Sequence, residues 1–104
     1  MNSRDKGARG ERELANILRD KYGFHTRRGQ QFCGANGDAD VVGIEGFHIE
    51  CKRVEKLNIE NALQQSIRDA REGEIPIVAH RKNREDWKVT MSLDSFISLI
   101  RKGD

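Results

Sequence analysis

The sequence predicts an α/β protein in which a mixed central β-sheet is flanked by α-helices, with the elements in the order αβββαββα. Three observations lead there. Apolar residues recur at helical spacing in three separate segments, short runs rich in Val and Ile or alternating in polarity lie between them, and Gly, Asn and Ser stand where the chain must turn. The 104 residues suffice for one domain, 1–104, with about five flexible residues at its start. Hydrophobic residues make up 36% and charged residues 35%, so it is regular spacing rather than bulk hydrophobicity that argues for a core.

The first helix is read over residues 11–22, where Leu14, Ala15, Ile17, Leu18 and Tyr22 share one face and Gly23 follows as a stop. Phe24, His25 and Thr26 read as a short strand, and residues 29–38, GQQFCGANGD, as a Gly-rich loop bordering a site. Residues 39–43 and 47–53 form two strands around a turn at Ile44, Glu45 and Gly46. A second helix starts after Asn58, its N-cap, with Ile59, Ala62, Leu63, Ile67 and Ala70 on one side before Gly73. IPIVAH, residues 75–80, is a buried type of strand whose Pro76 lies near the start, where a missing N–H is tolerated. Residues 86–91 alternate as a further strand. Ser92 then caps a last amphipathic helix with Leu93, Phe96, Ile97 and Ile100, which either covers the sheet or forms an interface.

A net charge of +2 excludes a uniformly basic nucleic-acid coat, so the placement of charge matters more than its sum. Residues 1–28 carry eight Lys or Arg against four acids, and HRKNR, residues 80–84, is a second basic cluster. No apolar run of about eighteen residues exists, and the start has no apolar middle of a signal peptide, which predicts a cytoplasmic protein with no membrane partner. In that compartment Cys33 and Cys51 are free thiols. The absence of C-x-x-C or H-x-x-x-H spacing argues against zinc, and no histidine can be set beside either thiol as the base of a nucleophilic enzyme. Trp87 reads as a packing residue rather than a base-stacking one.

The chemistry is concentrated in the two middle strands. A three-residue hairpin loop ends in a positive-φ residue, commonly Gly, and Gly46 fits. In that register facing residues have numbers that sum to 90, which sets Asp40 opposite Glu50 with Cβ atoms about 5 Å apart. Phe47, Ile49 and Cys51 then face the core, and His48, Glu50 and Lys52 the other side, with His48 solvated next to the turn. At about 100° per residue the centre of the first helix's apolar stripe falls close to Glu11, while Glu13 lies on the flank. Three converging carboxylates suit Mg²⁺, a hard cation that takes oxygen ligands, and Lys52 would stand beside it to stabilise charge on a phosphate oxygen or orient water. Two plainer readings compete. Acids and lysines on a strand also form simple cross-strand salt bridges, and an acid in a helix's first turn is favoured by the dipole alone.

Asp40, Glu50 and Lys52 as D-(x)9-ExK resemble the PD-(D/E)XK nuclease signature, with Ala39 in place of Pro. KGARGERELANIL, followed by GF, an Arg pair, ADVVG, IECK, IPIVA and a Trp strand, is similar over residues 6–89 to the archaeal-type Holliday junction resolvases, with compact phage and bacterial relatives. The resemblance implies a restriction-endonuclease-like fold, four-way DNA junctions as substrate, a homodimer, and Mg²⁺, for which Mn²⁺ can substitute, with no small-molecule cofactor. It implies metal ligation by Glu11, Asp40, Glu50 and the carbonyl of Cys51, and catalytic roles for Glu11, Asp40, Glu50, Lys52 and a glutamine of the second helix. Helical phase favours Gln64 over Gln65 for that glutamine. The DNA-binding set is Lys6, Arg9, Arg12, Arg27, Arg28, Arg53, Arg81 and Lys82. Two alternatives stay open: a nuclease for a flap, mismatch or specific duplex, and a non-catalytic DNA-binding module on the same scaffold.

Overall fold

Three helices and five strands form in the expected order in the computed structural model, which describes residues 3–30 and 39–103, with side chains from Gly7 onward. The helix α1 spans Ser3–Asp20, so it starts well before the apolar stripe does. The sequence hides this start because Gly7 and Gly10 read as breakers. Gly10 is there for proximity: a Cβ on it would lie 2.8 Å from the Cβ of Arg53, so only Gly lets α1 approach the sheet this closely. The expectation of a flexible first segment lies partly outside the described residues, as does that of a Gly-rich border loop.

Strands β1 (Arg27–Arg28), β2 (Val41–Val42), β3 (Phe47–Arg53), β4 (Ile75–Arg81) and β5 (Lys88–Thr90) make one sheet in the order β1-β2-β3-β4-β5. All neighbours are antiparallel except β3 and β4, which run parallel from Phe47 opposite Ile75 to Arg53 opposite Arg81. Helix α2 (Ile59–Asp69) makes the crossover that a parallel pair needs. The β2–β3 register holds Val41 opposite Ile49, numbers that sum to 90, and Gly46 takes φ 87 as the three-residue loop requires.

Several boundaries differ from expectation. The first strand is Arg27–Arg28 rather than residues 24–26, because Thr26 is instead drawn onto α1 by a hydrogen bond from its Oγ1 to the Ala15 carbonyl at 2.7 Å. β2 and β5 are shorter than predicted. Asn58 caps α2 by accepting from the Asn61 N–H, but the helix ends at Asp69, with Ala70 already extended, instead of continuing toward Gly73. Its inward residues are Ala62 and Ser66, and Ile67 is exposed. Ser66 tolerates complete burial because its Oγ donates to the Ile77 carbonyl at 3.0 Å.

Both faces of the central pair are covered. Leu14 and Ala15 of α1 cluster with Val41, Ile49, Cys51, Ile75, Ile77 and Ala79. The opposite face, with His48, Glu50 and Val78, lies toward α2. The expectation that His48 is solvated is therefore overturned, since it is only 4% exposed. Parallel strands joined by a helix are buried on both sides, and alternation along β3 separates one buried layer from another rather than core from water. The last helix, α3 (Leu93–Lys102), is capped by the Ser92 side chain accepting from the Ser95 N–H. Among the described residues no helix is long and apolar enough to cross a membrane.

Candidate active site

The site forms where the sheet opens. β2 begins at Val41, so on the side away from β4 the second half of β3 has no ladder partner among the described residues, and the carboxylate of Asp40 accepts the Cys51 N–H there at 2.8 Å. In a strand the N–H and C=O of one residue point to the same side, so the Cys51 carbonyl faces this side as well. Through the opening α1 and α2 meet the same space. A cleft of about 270 Å³ results, lined by Gly7 and Glu11 of α1, Asp40, residues 50–53 of β3, Val54, and Gln65 of α2.

Asp40 and Glu50 are close enough to share a proton. Burial, followed by the negative charge of Glu50, pushes Asp40 up to about 7, against the pull of the Cys51 N–H. Glu50 moves the other way. Burial opposes its ionisation, but the hydrogen bonds from His48 and Asp40 and the charges of His48 and Lys52 outweigh that and lower it. Below about pH 7 the pair therefore shares one proton, favoured on Asp40. Glu11 faces the same cleft but is engaged by Arg28, whose Nε lies 3.1 Å from its Oε1, and it acts on Asp40 through its charge alone.

Glu11, Asp40, Glu50, Cys51 and Lys52 all line this one cleft; the acid and histidine ligand atoms that lie within 4.8 Å of one another among the described residues are those of His48, Glu50 and Asp69, a set without Glu11 or Asp40. Gln64 does not join them. It is exposed on α2 and donates to Glu60 at 3.0 Å, whereas Gln65 lines the cleft. The apolar-stripe phase pointed to Gln64 because it assumed that Ile67 is buried; the stripe that packs is centred on Ala62 and Ser66, which turns Gln65 inward.

The basic residues divide in two. Arg9, Arg12, Arg27 and Lys82 are exposed, and the side chain of Lys6 lies outside the described residues. Arg28, Arg53 and Arg81 have partners within the protein. Glu13, placed on the flank by the helical wheel, accepts from Arg81 Nε at 2.7 Å and from Trp87 Nε1 at 3.1 Å. Arg53 Nε lies 3.2 Å from the other Glu13 oxygen, near enough for an ion pair but not aligned for a hydrogen bond. Arg81 also lies over the Trp87 ring, with its guanidinium carbon 5.8 Å from the centroid. Trp87 packs against the core, as expected. Cys51 is buried, and burial together with the nearby charges of Asp40, Glu11 and Glu13 pushes its thiol up, which disarms it as a nucleophile. Cys33 lies outside the described residues.

His48 is the residue that sequence reasoning missed. Its Nε2 lies 2.7 Å from Glu50 Oε1, and its Nδ1 lies 3.9 Å from Glu74 Oε1. Burial alone would lower this imidazole, but the hydrogen bond to Glu50 and the charges of Glu50, Glu74 and Asp69 raise it. The signal was present in the sequence as strand parity, since His48 and Glu50 are two apart and share a face.

Comparison with known proteins bears on the fold and the family. A search of curated proteins finds no match. Among solved structures, Hjc of Archaeoglobus fulgidus, a Holliday junction resolvase from an archaeal hyperthermophile, is similar with a TM-score of 0.60 and 26% identity, over 82% of this chain and 76% of that one. The mixed five-stranded sheet and its helices thus have the restriction-endonuclease-like α/β fold. The family described as "Phage putative PDDEXK endonuclease" matches residues 2–103, nearly the whole chain, and the protein belongs to that family of nucleases.

Proposed function

We propose that the protein is a divalent-metal-dependent, structure-selective DNA endonuclease, a Holliday junction resolvase that nicks opposed strands as a homodimer, with residues 1–104 as one nuclease domain. The observation that carries this reading is the crowding of Asp40 and Glu50, which keeps a proton on Asp40 up to about 7. A divalent cation neutralises such a pair more completely than one proton does. The donors at the cleft are oxygens, a set that fits Mg²⁺, with Mn²⁺ as a substitute. The carboxylates of Glu11, Asp40 and Glu50 and the carbonyl of Cys51 would hold it.

Bound there, the metal would polarise the phosphodiester and make water more acidic. The protein's own groups do the rest. Lys52 supplies positive charge for the phosphate oxygens, and Gln65, in place of Gln64, is the glutamine suited to orient water or phosphate. Arg9, Arg12, Arg27 and Lys82 are the groups available to grip DNA backbones, joined in this reading by Lys6 and Arg28. Arg53 and Arg81, tied to Glu13, shape the site instead. Paired nicking at a two-fold junction asks for two copies of the chain, and the exposed apolar residues of α3 support a dimer. Recombination and repair of DNA in the cytoplasm is the setting this activity would serve.

The test is cleavage of four-way junction, flap and linear duplex side by side, with Mg²⁺ and with chelator. Wild type should cut the junction with Mg²⁺ only, and Asp40→Asn should fall to background while still binding the junction. Cutting of linear duplex alone would remove the resolvase reading and leave the nuclease; no cutting of any substrate would leave a binding module.

A further inference from the structure

His48 has no place in the chemistry described so far, yet it is among the most buried polar residues and touches the residue at the centre of that chemistry. An imidazole buried on a sheet face costs free energy unless its nitrogens are satisfied. One nitrogen is satisfied by Glu50 at 2.7 Å, short for a contact of this type and typical of a charge-assisted hydrogen bond. A carboxylate oxygen accepts, so the tautomer that satisfies this contact has the histidine Nε2–H donating to Glu50 Oε1. The other nitrogen faces Glu74 at 3.9 Å, and Asp69 of α2 brings a carboxylate oxygen within 4.8 Å of the ligand atoms of His48 and Glu50. Glu74 is itself fixed by accepting the Arg71 N–H at 2.8 Å. His48, Asp69, Arg71 and Glu74 border a second cavity, which neither Glu11 nor Lys52 lines.

We propose that His48 is a positioning residue for Glu50: its Nε2–H holds one carboxylate oxygen and leaves the other directed at Asp40 and the cleft, with Glu74 and Asp69 steadying the imidazole from behind. The proposal rests on the metal-dependent reading above. Of the two Glu50 oxygens, one is committed to the histidine and one is available to a cation, so Glu50 presents a single, fixed oxygen. Without His48 no imidazole N–H would fix the rotation of the Glu50 carboxylate, and an oriented ligand would become a mobile one.

The experiment measures Mn²⁺ binding to the whole protein by electron paramagnetic resonance, without DNA, for wild type, His48→Leu, His48→Gln and Asp40→Asn. Thermal melts and junction binding in chelator are run on each. His48→Leu removes the donor at similar volume and should weaken Mn²⁺ binding by about tenfold, the low end for loss of a hydrogen bond that orients a ligand. His48→Gln carries an amide N–H at nearly the reach of Nε2 and should restore most of the affinity, a rescue that simple packing would not give. Junction binding in chelator should stay unchanged. Mn²⁺ binding by His48→Leu equal to that of wild type would overturn the proposal, as would equal loss in both His48 variants. It would also fall if Asp40→Asn kept full Mn²⁺ affinity while His48→Leu lost it, because the ion would then sit on His48, Glu50 and Asp69. A wild type that binds no Mn²⁺ and cuts nothing would remove the nuclease reading, and this proposal with it.

Discussion

Asp40 answers two needs with one side chain: it completes the backbone hydrogen bonding of β3 at Cys51, and it sits against Glu50 where a second negative charge is costly. The folded protein keeps the proton on Asp40 up to about 7, whereas the ordinary carboxyl releases it near 3.8. Between those values the folded state binds more protons than the unfolded one, so this residue's contribution to stability is complete below about 3.8 and is lost as the pH rises to about 7. Asparagine mimics the protonated acid, accepting from Cys51 and donating to Glu50. In chelator, Asp40→Asn should therefore melt higher than wild type at about pH 8, with the gap closing toward about pH 4; excess Mg²⁺ at the higher pH should raise wild type and not the variant. The facing of Asp40 and Glu50 was legible because it follows from loop length alone. The role of His48 was not, because position next to a turn suggests solvent and only the helix packed over β3 removes it.

At the level of elements, the sequence announced the three helices and the other four strands, but set the first strand at residues 24–26 instead of Arg27–Arg28 and misplaced those ends that packing decides. Caps chosen by side chains, Asn58 and Ser92, were correct because the bond they make is local. The start of α1 was missed because its two glycines look alike in sequence and differ in setting. A methyl placed on Gly7 would meet nothing within 4 Å, whereas at Gly10 it would meet Arg53 at 2.8 Å. Gly7→Ala should stabilise the protein by up to about 1 kcal/mol, the gain in helix propensity. Gly10→Ala gains the same propensity but overpacks α1 against β3, which costs about 1–3 kcal/mol, so the net should be a loss of up to about 2 kcal/mol. Urea unfolding of the two variants gives the signs directly. Gln64 and Gln65 teach the same lesson: one residue of phase depends on which stripe packs, and Ser66, a polar residue with two carbonyls of the sheet near its hydroxyl, was invisible to an apolar count.

At the scale of the whole molecule, α3 stands apart from the other helices. Leu93, Phe96 and Ile100 are 73%, 50% and 49% exposed, no residue of the helix is fully buried, and Leu99 alone of its residues packs partly against the core. Under the proposed function, a second copy covering this face would supply the second site that paired nicking asks for. Light scattering should give about twice the 11.9 kDa chain mass for wild type, and Phe96→Asp should give the single-chain mass with an unchanged circular dichroism spectrum. Retention of the larger mass would assign the dimer to another surface. The sheet's opening beside β3 has a further consequence. Because Glu11 of α1 and Gln65 of α2 join Asp40, Glu50 and Lys52 of the sheet region only when both helices are docked, a half-folded chain with one layer undocked owns the sequence motif but an incomplete pocket. Under the proposed function, capacity to cut DNA would appear only when folding is finished, a quality control written into the architecture itself.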